Sequence, residues 1–151
     1  WNVRNVYANS LTRDEAKIEF FAWLYNYDSN DDEFGSYHRE RLLADWYDGT
    51  AINTPFDRKI IVDKRKALNY LIQSTTSDIV LERAVAIDNF LKDKESFVAF
   101  VVHDEIVIDL KDSEKELVPE IKEMFSKNKL DEYLVNLSCG KNYYELQELS
   151  L

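Results

Sequence analysis

A chain of 151 residues with 45% apolar and 13% aromatic side chains has enough material for one packed domain, and only 3 Gly and 2 Pro exclude a low-complexity polymer. The formal net charge of −10 lacks the overall basic footprint of a phosphate-gripping protein, although Arg58, Lys59, Lys64, Arg65 and Lys66 gather around the lone Asp63. The single cysteine, Cys139, excludes an internal disulfide and a Cys-rich zinc site, which suits a reducing interior, and no apolar run is long enough for a membrane span or a secretory signal.

In chain order, Thr12 and Glu15 fit a capping box that opens a helix running to Tyr27. At helical spacing Ala16, Phe20, Trp23, Leu24 and Tyr27 share one face, the expected core side. Beside it Arg13, Lys17, Phe21 and Tyr25 form a slowly drifting stripe. Two cations near a helix N-terminus oppose the dipole, which favours anions there. They suit a phosphate group lying nearby, or else form a solvated charged face. A polar loop over Tyr27–Gly35, a helix over Tyr37–Trp46 and a turn near Asp48-Gly49-Thr50 follow. Thr54–Val62 has the pattern of a short strand or hairpin, with Pro55 at its start.

From Asp63 to Leu91 the periodicity is helical, with Ser74-Thr75-Thr76-Ser77 as a candidate break because such residues favour caps. Arg65, Asn69 and Gln73 recur every fourth position on this helix. Asn and Gln can grip base edges and sugars while Arg grips phosphate; an ordinary polar helix face is the alternative. The stretch SFVAFVVHDEIVIDL, Ser96–Leu110, reads as two strands joined by a tight turn at His103, Asp104 and Glu105. Burying such groups unpaired costs several kcal/mol, so a hairpin tip is their natural place. There they meet solvent alone, or a substrate, or magnesium, which binds through one or two carboxylates. Ser113–Ser126 is a further expected helix, with a capping box at Ser113 and Glu116, and Tyr133–Leu137 an expected last strand. No repeat or linker divides the chain. The fold class is α+β.

Taken together and in order, these sets resemble the family A DNA polymerases, of the DNA polymerase I type that phages also use. Arg13-x-x-x-Lys17-x-x-x-Phe21-x-x-x-Tyr25 resembles that family's fingers helix. Arg65-x-x-x-Asn69-x-x-x-Gln73 followed by STTSDI is similar to its template- and primer-contacting segment. His103-Asp104-Glu105 between apolar strands resembles its last palm motif, and LSCGKNYYEL the closing strand and loop of phage members. The resemblance runs from about residue 12 to the C-terminus. It implies a helical fingers portion, 1–62, and a palm portion, 63–151, of antiparallel strands flanked by helices.

It also implies roles. Arg13 and Lys17 would hold the triphosphate of an incoming dNTP, with Lys17 protonating the departing pyrophosphate. Phe21 would pack on the sugar and Tyr25 against the nascent pair. Arg65 and Asn69 would contact template, Gln73 and His103 the minor groove and primer end. Asp104 would be a metal ligand, Glu105 its supporting neighbour, and the complete site would use two Mg2+ ions in phosphoryl transfer.

Three departures accompany the resemblance. Asn26 stands where the family has glycine, although Asn tolerates a left-handed cap. The Tyr25–Arg65 interval is short, which implies a reduced fingers tip. The family's other metal aspartate, in Asp-x-Ser-x-x-Glu, belongs upstream of the fingers helix, and the chain starts at Trp1 without it. The expectation is therefore an excerpt of a longer polymerase or one chain of a split enzyme, inactive alone. Its expected partners are primer–template DNA, dNTP and an upstream segment or second chain, with no membrane, in a bacterial or phage-infected cytoplasm. The alternative is a non-catalytic nucleic-acid-binding replication protein that retains the scaffold.

Overall fold

Thr12 opens the first helix as expected. Its Oγ1 accepts the Glu15 amide at 3.3 Å while the Glu15 carboxylate accepts the Thr12 amide at 2.8 Å, so two amides that would otherwise lack helical partners are satisfied reciprocally. The structure, a computed structural model, describes residues 12–29 and 39–149; residues 30–35 of the expected loop and residues 37–38 of the expected second helix lie outside the described residues. Helix α1 (Arg13–Tyr25) buries Ala16, Phe20, Trp23 and Leu24, the face given by its periodicity. Tyr27 departs from that face: the helix has already ended at Asn26, and Tyr27 is exposed. Asn26 forms an extended cap (φ −81°, ψ 109°) rather than a left-handed one. Its side-chain oxygen accepts the Asp28 amide at 3.2 Å, an Asx turn that reverses the chain without needing positive φ.

Helix α2 (Arg39–Trp46) adds Leu43 to the core and places Arg39, itself buried, under the end of α1. Strands β1 (Ala51–Asn53) and β2 (Lys59–Ile61) pair antiparallel, with Ala51 opposite Ile61. Thr54 is therefore a turn residue: the expected short strand or hairpin over Thr54–Val62 is the turn and second strand of a hairpin whose first strand, β1, precedes that range. Pro55 brings no amide to a ladder, and Thr54 Oγ1 gathers the amides of Phe56 and Arg58, each at 3.3 Å.

Asp48 organises the entry to β1. Its carboxylate accepts the Thr50 amide at 2.9 Å, the Ala51 amide at 2.8 Å and the Lys59 ammonium at 3.0 Å. The Thr50 amide leads these contacts in holding the Asp48 carboxyl well below the ordinary aspartate range. A depressed folded value means that the contribution to stability is complete above the unfolded value of about 3.9 and disappears as pH falls through the folded one. Thermal melts from about pH 5 downward should show wild type losing stability below about pH 4 more steeply than Asp48→Asn; parallel curves would remove Asp48 from the acid transition.

Helix α3 (Lys64–Leu91) runs 28 residues without a break. The Ser74–Ser77 cluster does not interrupt it, contrary to the expectation above. Intrinsic preferences of Ser and Thr amount to only tenths of a kcal/mol per residue. Burial of Leu68 and Leu71 before the cluster and Val80, Ala84 and Ile87 after it outweighs them. The Arg58 guanidinium also donates to the Ser74 carbonyl at 2.9 Å. Two compact units, Trp1–Thr75 and Thr76–Leu151, divide inside this helix. In the first, Phe20, Trp23, Leu24, Leu43, Ile52 and Leu68 form the core.

In the second unit β3 (Phe97–Val102) and β4 (Glu105–Asp109) form the expected antiparallel hairpin, with Val102 opposite Glu105. A bulge between Val98 and Phe100 shifts their register. Val98, Ile106 and Ile108 pack against a core of Ile87, Leu91 and Ile121. Before helix α4 (Val118–Ser126) lies a 3₁₀ turn, Asp112–Leu117, and the expected Ser113–Glu116 capping box is absent. Glu114 serves another partner. Its carboxylate accepts the Ser96 amide at 2.8 Å and the Ser96 hydroxyl at 2.6 Å, and that hydroxyl lowers its pKa. Ser96 is almost fully buried, so this contact satisfies a polar group that water cannot reach.

The last strand differs too. The Tyr133 amide donates to the Ser126 carbonyl at 2.7 Å, which ties Tyr133 to the end of α4 instead of a ladder, and Leu134 is exposed. Strand β5 is Leu137–Cys139, paired antiparallel with β6 (Gln147–Leu149). The described strands thus make three separate antiparallel hairpins among helices, an α+β architecture.

Candidate functional site

The α1 stripe presents one aromatic platform. Phe21 and Tyr25, one turn apart, stack with ring centroids 5.7 Å apart and planes 7° from parallel. Phe21 meets Phe20 edge-on at 5.9 Å, which fixes the platform to the core. Lys17 is exposed on the same helix, and the backbone of Arg13 begins it; the Arg13 side chain lies outside the described residues. The end of the stripe meets α3. Gln73 Nε2 donates to the Tyr25 hydroxyl at 3.5 Å, a contact across 48 positions of sequence that joins two sets singled out independently.

The α3 N-terminus supplies the opposite wall. Asp63 accepts the Arg65 amide at 2.9 Å and so caps the helix. The Arg65 guanidinium stands 5.5 Å from the Tyr27 ring centre, and the Lys64 ammonium 6.0 Å from it, within cation–π range. Tyr25, Arg65 and Asn69 line one cleft with Tyr27, Arg39 and Lys64, about 30 Å³ in volume. That space suits a water or two rather than a nucleobase, so a base would have to part its walls. Tyr27, Lys64 and Arg39, to which sequence assigns no site role, also line this cleft. Arg39 is buried, and its guanidinium donates to the carbonyls of Trp23 at 2.9 Å, Asn26 at 2.6 Å, and Ser29.

In the second unit His103 and Asp104 form the two-residue tip between β3 and β4, and Glu105 begins β4. His103 has φ 51°, a left-handed conformation in which His is enriched several-fold over most residues. All three side chains are exposed. The hairpin does place the charged groups at its tip, which explains how two apolar strands can flank them without a desolvation cost. Glu105 is engaged: its carboxylate accepts the Tyr143 hydroxyl at 3.2 Å, and this contact raises the Tyr143 pKa. Tyr143, for which the sequence offers no signal beyond its place in the tail, also meets Phe100 edge-on at 5.7 Å.

Among the described residues no group of three or more His, Cys, Asp or Glu side chains could hold a metal ion. Asp104 nevertheless fits a partial role. Magnesium keeps several waters and takes only one or two carboxylates beside substrate phosphates, and an exposed aspartate at a hairpin tip is of the type that can be one of them.

The profile of DNA polymerase family A matches residues 37–145. That is well over half of the chain, and the chain belongs to this family of DNA polymerases, nucleotidyltransferases of DNA replication. The match takes in Arg65, Asn69, Gln73 and the His103–Glu105 tip, together with Tyr143. It begins after α1, so the Arg13–Tyr25 stripe lies outside it. No curated protein and no solved structure matches the chain. Among the described residues no helix is long and apolar enough to cross a membrane.

Proposed function

We propose that the chain carries the fingers portion (1–62) and palm portion (63–151) of a template-directed DNA polymerase. In this reading it works with an upstream segment or second chain that supplies the other metal aspartate. The observation that carries the reading is the meeting of Tyr25 with Gln73, and of Tyr25 with Arg65 and Asn69 around one cleft. A solvated helix face gives no reason for these motifs to converge; a site that checks a nascent base pair needs an aromatic stop beside donors for template and sugar.

The remaining roles are those that the resemblance to the family implies. Lys17, with Arg13, neutralises the triphosphate of the dNTP, and Lys17 hands a proton to departing pyrophosphate. The Phe21 ring offers the sugar an apolar face. His103 and Gln73 donate to the primer end and minor groove. Asp104 would hold magnesium, which when bound would supply stabilisation of the charge that develops on the transferring phosphate. The hairpin of β3 and β4 sets where the Asp104 backbone stands. The primer 3′-hydroxyl attacks the α-phosphate in line with the leaving group, so positioning and charge neutralisation supply most of the rate.

One carboxylate of this type cannot build a two-metal site. The 151-residue chain alone should bind primer–template DNA without extending it. Extension should appear when it is joined to the polypeptide that carries an Asp-x-Ser-x-x-Glu motif. Extension by the chain alone would overturn the shared site, and binding that never becomes extension in the joined protein would favour a non-catalytic replication protein.

A further inference from the structure

The tail from β5 to β6 is built more tightly than a closing loop requires. A Cβ on Gly140 would stand 2.5 Å from the Glu145 carbonyl oxygen, so the backbone there closes only on glycine. Asn142 Oδ1 accepts the amides of Tyr144 at 3.0 Å and Glu145 at 3.1 Å, starting the short turn Tyr143–Glu145. These constraints sort the two adjacent tyrosines. Tyr144 is 97% exposed, while Tyr143 is 50% exposed and turns its ring edge to Phe100 and its hydroxyl to Glu105.

Glu105 directly follows Asp104, and both carboxylates are exposed at the same hairpin end. Two neighbouring carboxylates compete for any cation brought there, and a mobile glutamate can repel an incoming phosphate. The phenol restricts one of them. Phe100 lies on β3, across from β4, so the ring is held from one strand while the hydroxyl holds the first residue of the other.

From this geometry we infer that Tyr143 is a positioning residue for the polymerase site: its hydroxyl fixes Glu105 and leaves Asp104 as the carboxylate open to magnesium and nucleotide. The assignment rests on the polymerase function proposed above. Tyr143→Phe keeps the ring against Phe100 and removes only the hydroxyl, so the hairpin retains its fold.

Two measurements test it. In the chain labelled with 3-fluorotyrosine, the ¹⁹F resonance that vanishes in Tyr143→Phe should shift in Glu105→Gln; an unmoved resonance overturns the contact. In the joined, extension-competent protein, Tyr143→Phe should slow extension about tenfold, the scale of one hydrogen bond to a charged group. It should also raise the MgCl2 concentration for half-maximal rate. In a Glu105→Ala background, which leaves the phenol no acceptor at that position, the same substitution should change the rate less than about twofold. Equal losses in both backgrounds, or no loss in either, overturn the positioning role alone. Absence of extension by the joined wild-type protein overturns the polymerase function and this assignment with it.

Discussion

Asp104→Ala should lower primer extension by about a thousandfold or more in the joined protein, because a metal carboxylate supplies several kcal/mol of transition-state charge stabilisation and each 1.36 kcal/mol is a factor of about ten. The same substitution should leave stability within about 0.5 kcal/mol, as expected for an exposed side chain away from caps and core. Asp104 sits at the tip between Val102 and Glu105, and it is exposed. Loss of rate without loss of stability separates a ligand from a structural turn residue. A Glu105→Gln control sharpens the comparison, since Glu105 is engaged with Tyr143 and should give a much smaller loss. Equal losses at the two positions would mean that both carboxylates meet the metal. Full activity in Asp104→Ala, measured as steady-state nucleotide incorporation, would remove the metal role altogether.

The parts of the fold that could be read in sequence are those set by short-range chemistry. Thr12 and Glu15 needed nothing beyond each other, and their box forms as expected. The SFVAFVVHDEIVIDL hairpin follows from two apolar runs that demand burial and three charges that refuse it. The failures share one cause, a distant partner. Ser113 and Glu116 have the spacing of a cap, but buried Ser96 takes Glu114, and the segment winds as a 3₁₀ turn instead. Ser74–Ser77 has the composition of a break, yet buried residues on both sides carry α3 through it. Tyr133–Leu137 has strand-forming residues, but the Tyr133 amide is held by the end of α4. The site divides in the same way. Its spacing-of-four sets were visible, whereas the contacts of Gln73 with Tyr25 and of Tyr143 with Glu105 cross 48 and 38 positions. No local pattern encodes such pairs.

Arg39→Ala should destabilise the first unit by about 3 kcal/mol, since orphaning a buried acceptor costs about 1–3 kcal/mol and two of the three carbonyls here retain some access to water. Those carbonyls belong to Trp23, Asn26 and Ser29, the last turn of α1 and the chain that leaves it. A helix end has four carbonyls without intrahelical partners, and α1 has no basic residue in its last turn. Arg39 substitutes for one from the next helix. Its guanidinium also lies 4.9 Å from the Trp23 ring centre, adding cation–π attraction in a poorly hydrated place. Arg39→Lys should recover only part of the loss, because a single ammonium cannot reproduce a planar fork that spans three acceptors. Urea unfolding of the chain and both variants checks the order wild type, Lys, Ala; a loss under about 1 kcal/mol for alanine would mean that water satisfies these carbonyls as well as the guanidinium does. The consequence reaches the site, because the turn Arg39 ties down ends at Tyr25. In a joined protein kept below its melting temperature, Arg39→Ala should weaken dNTP binding even though Arg39 need not touch the nucleotide.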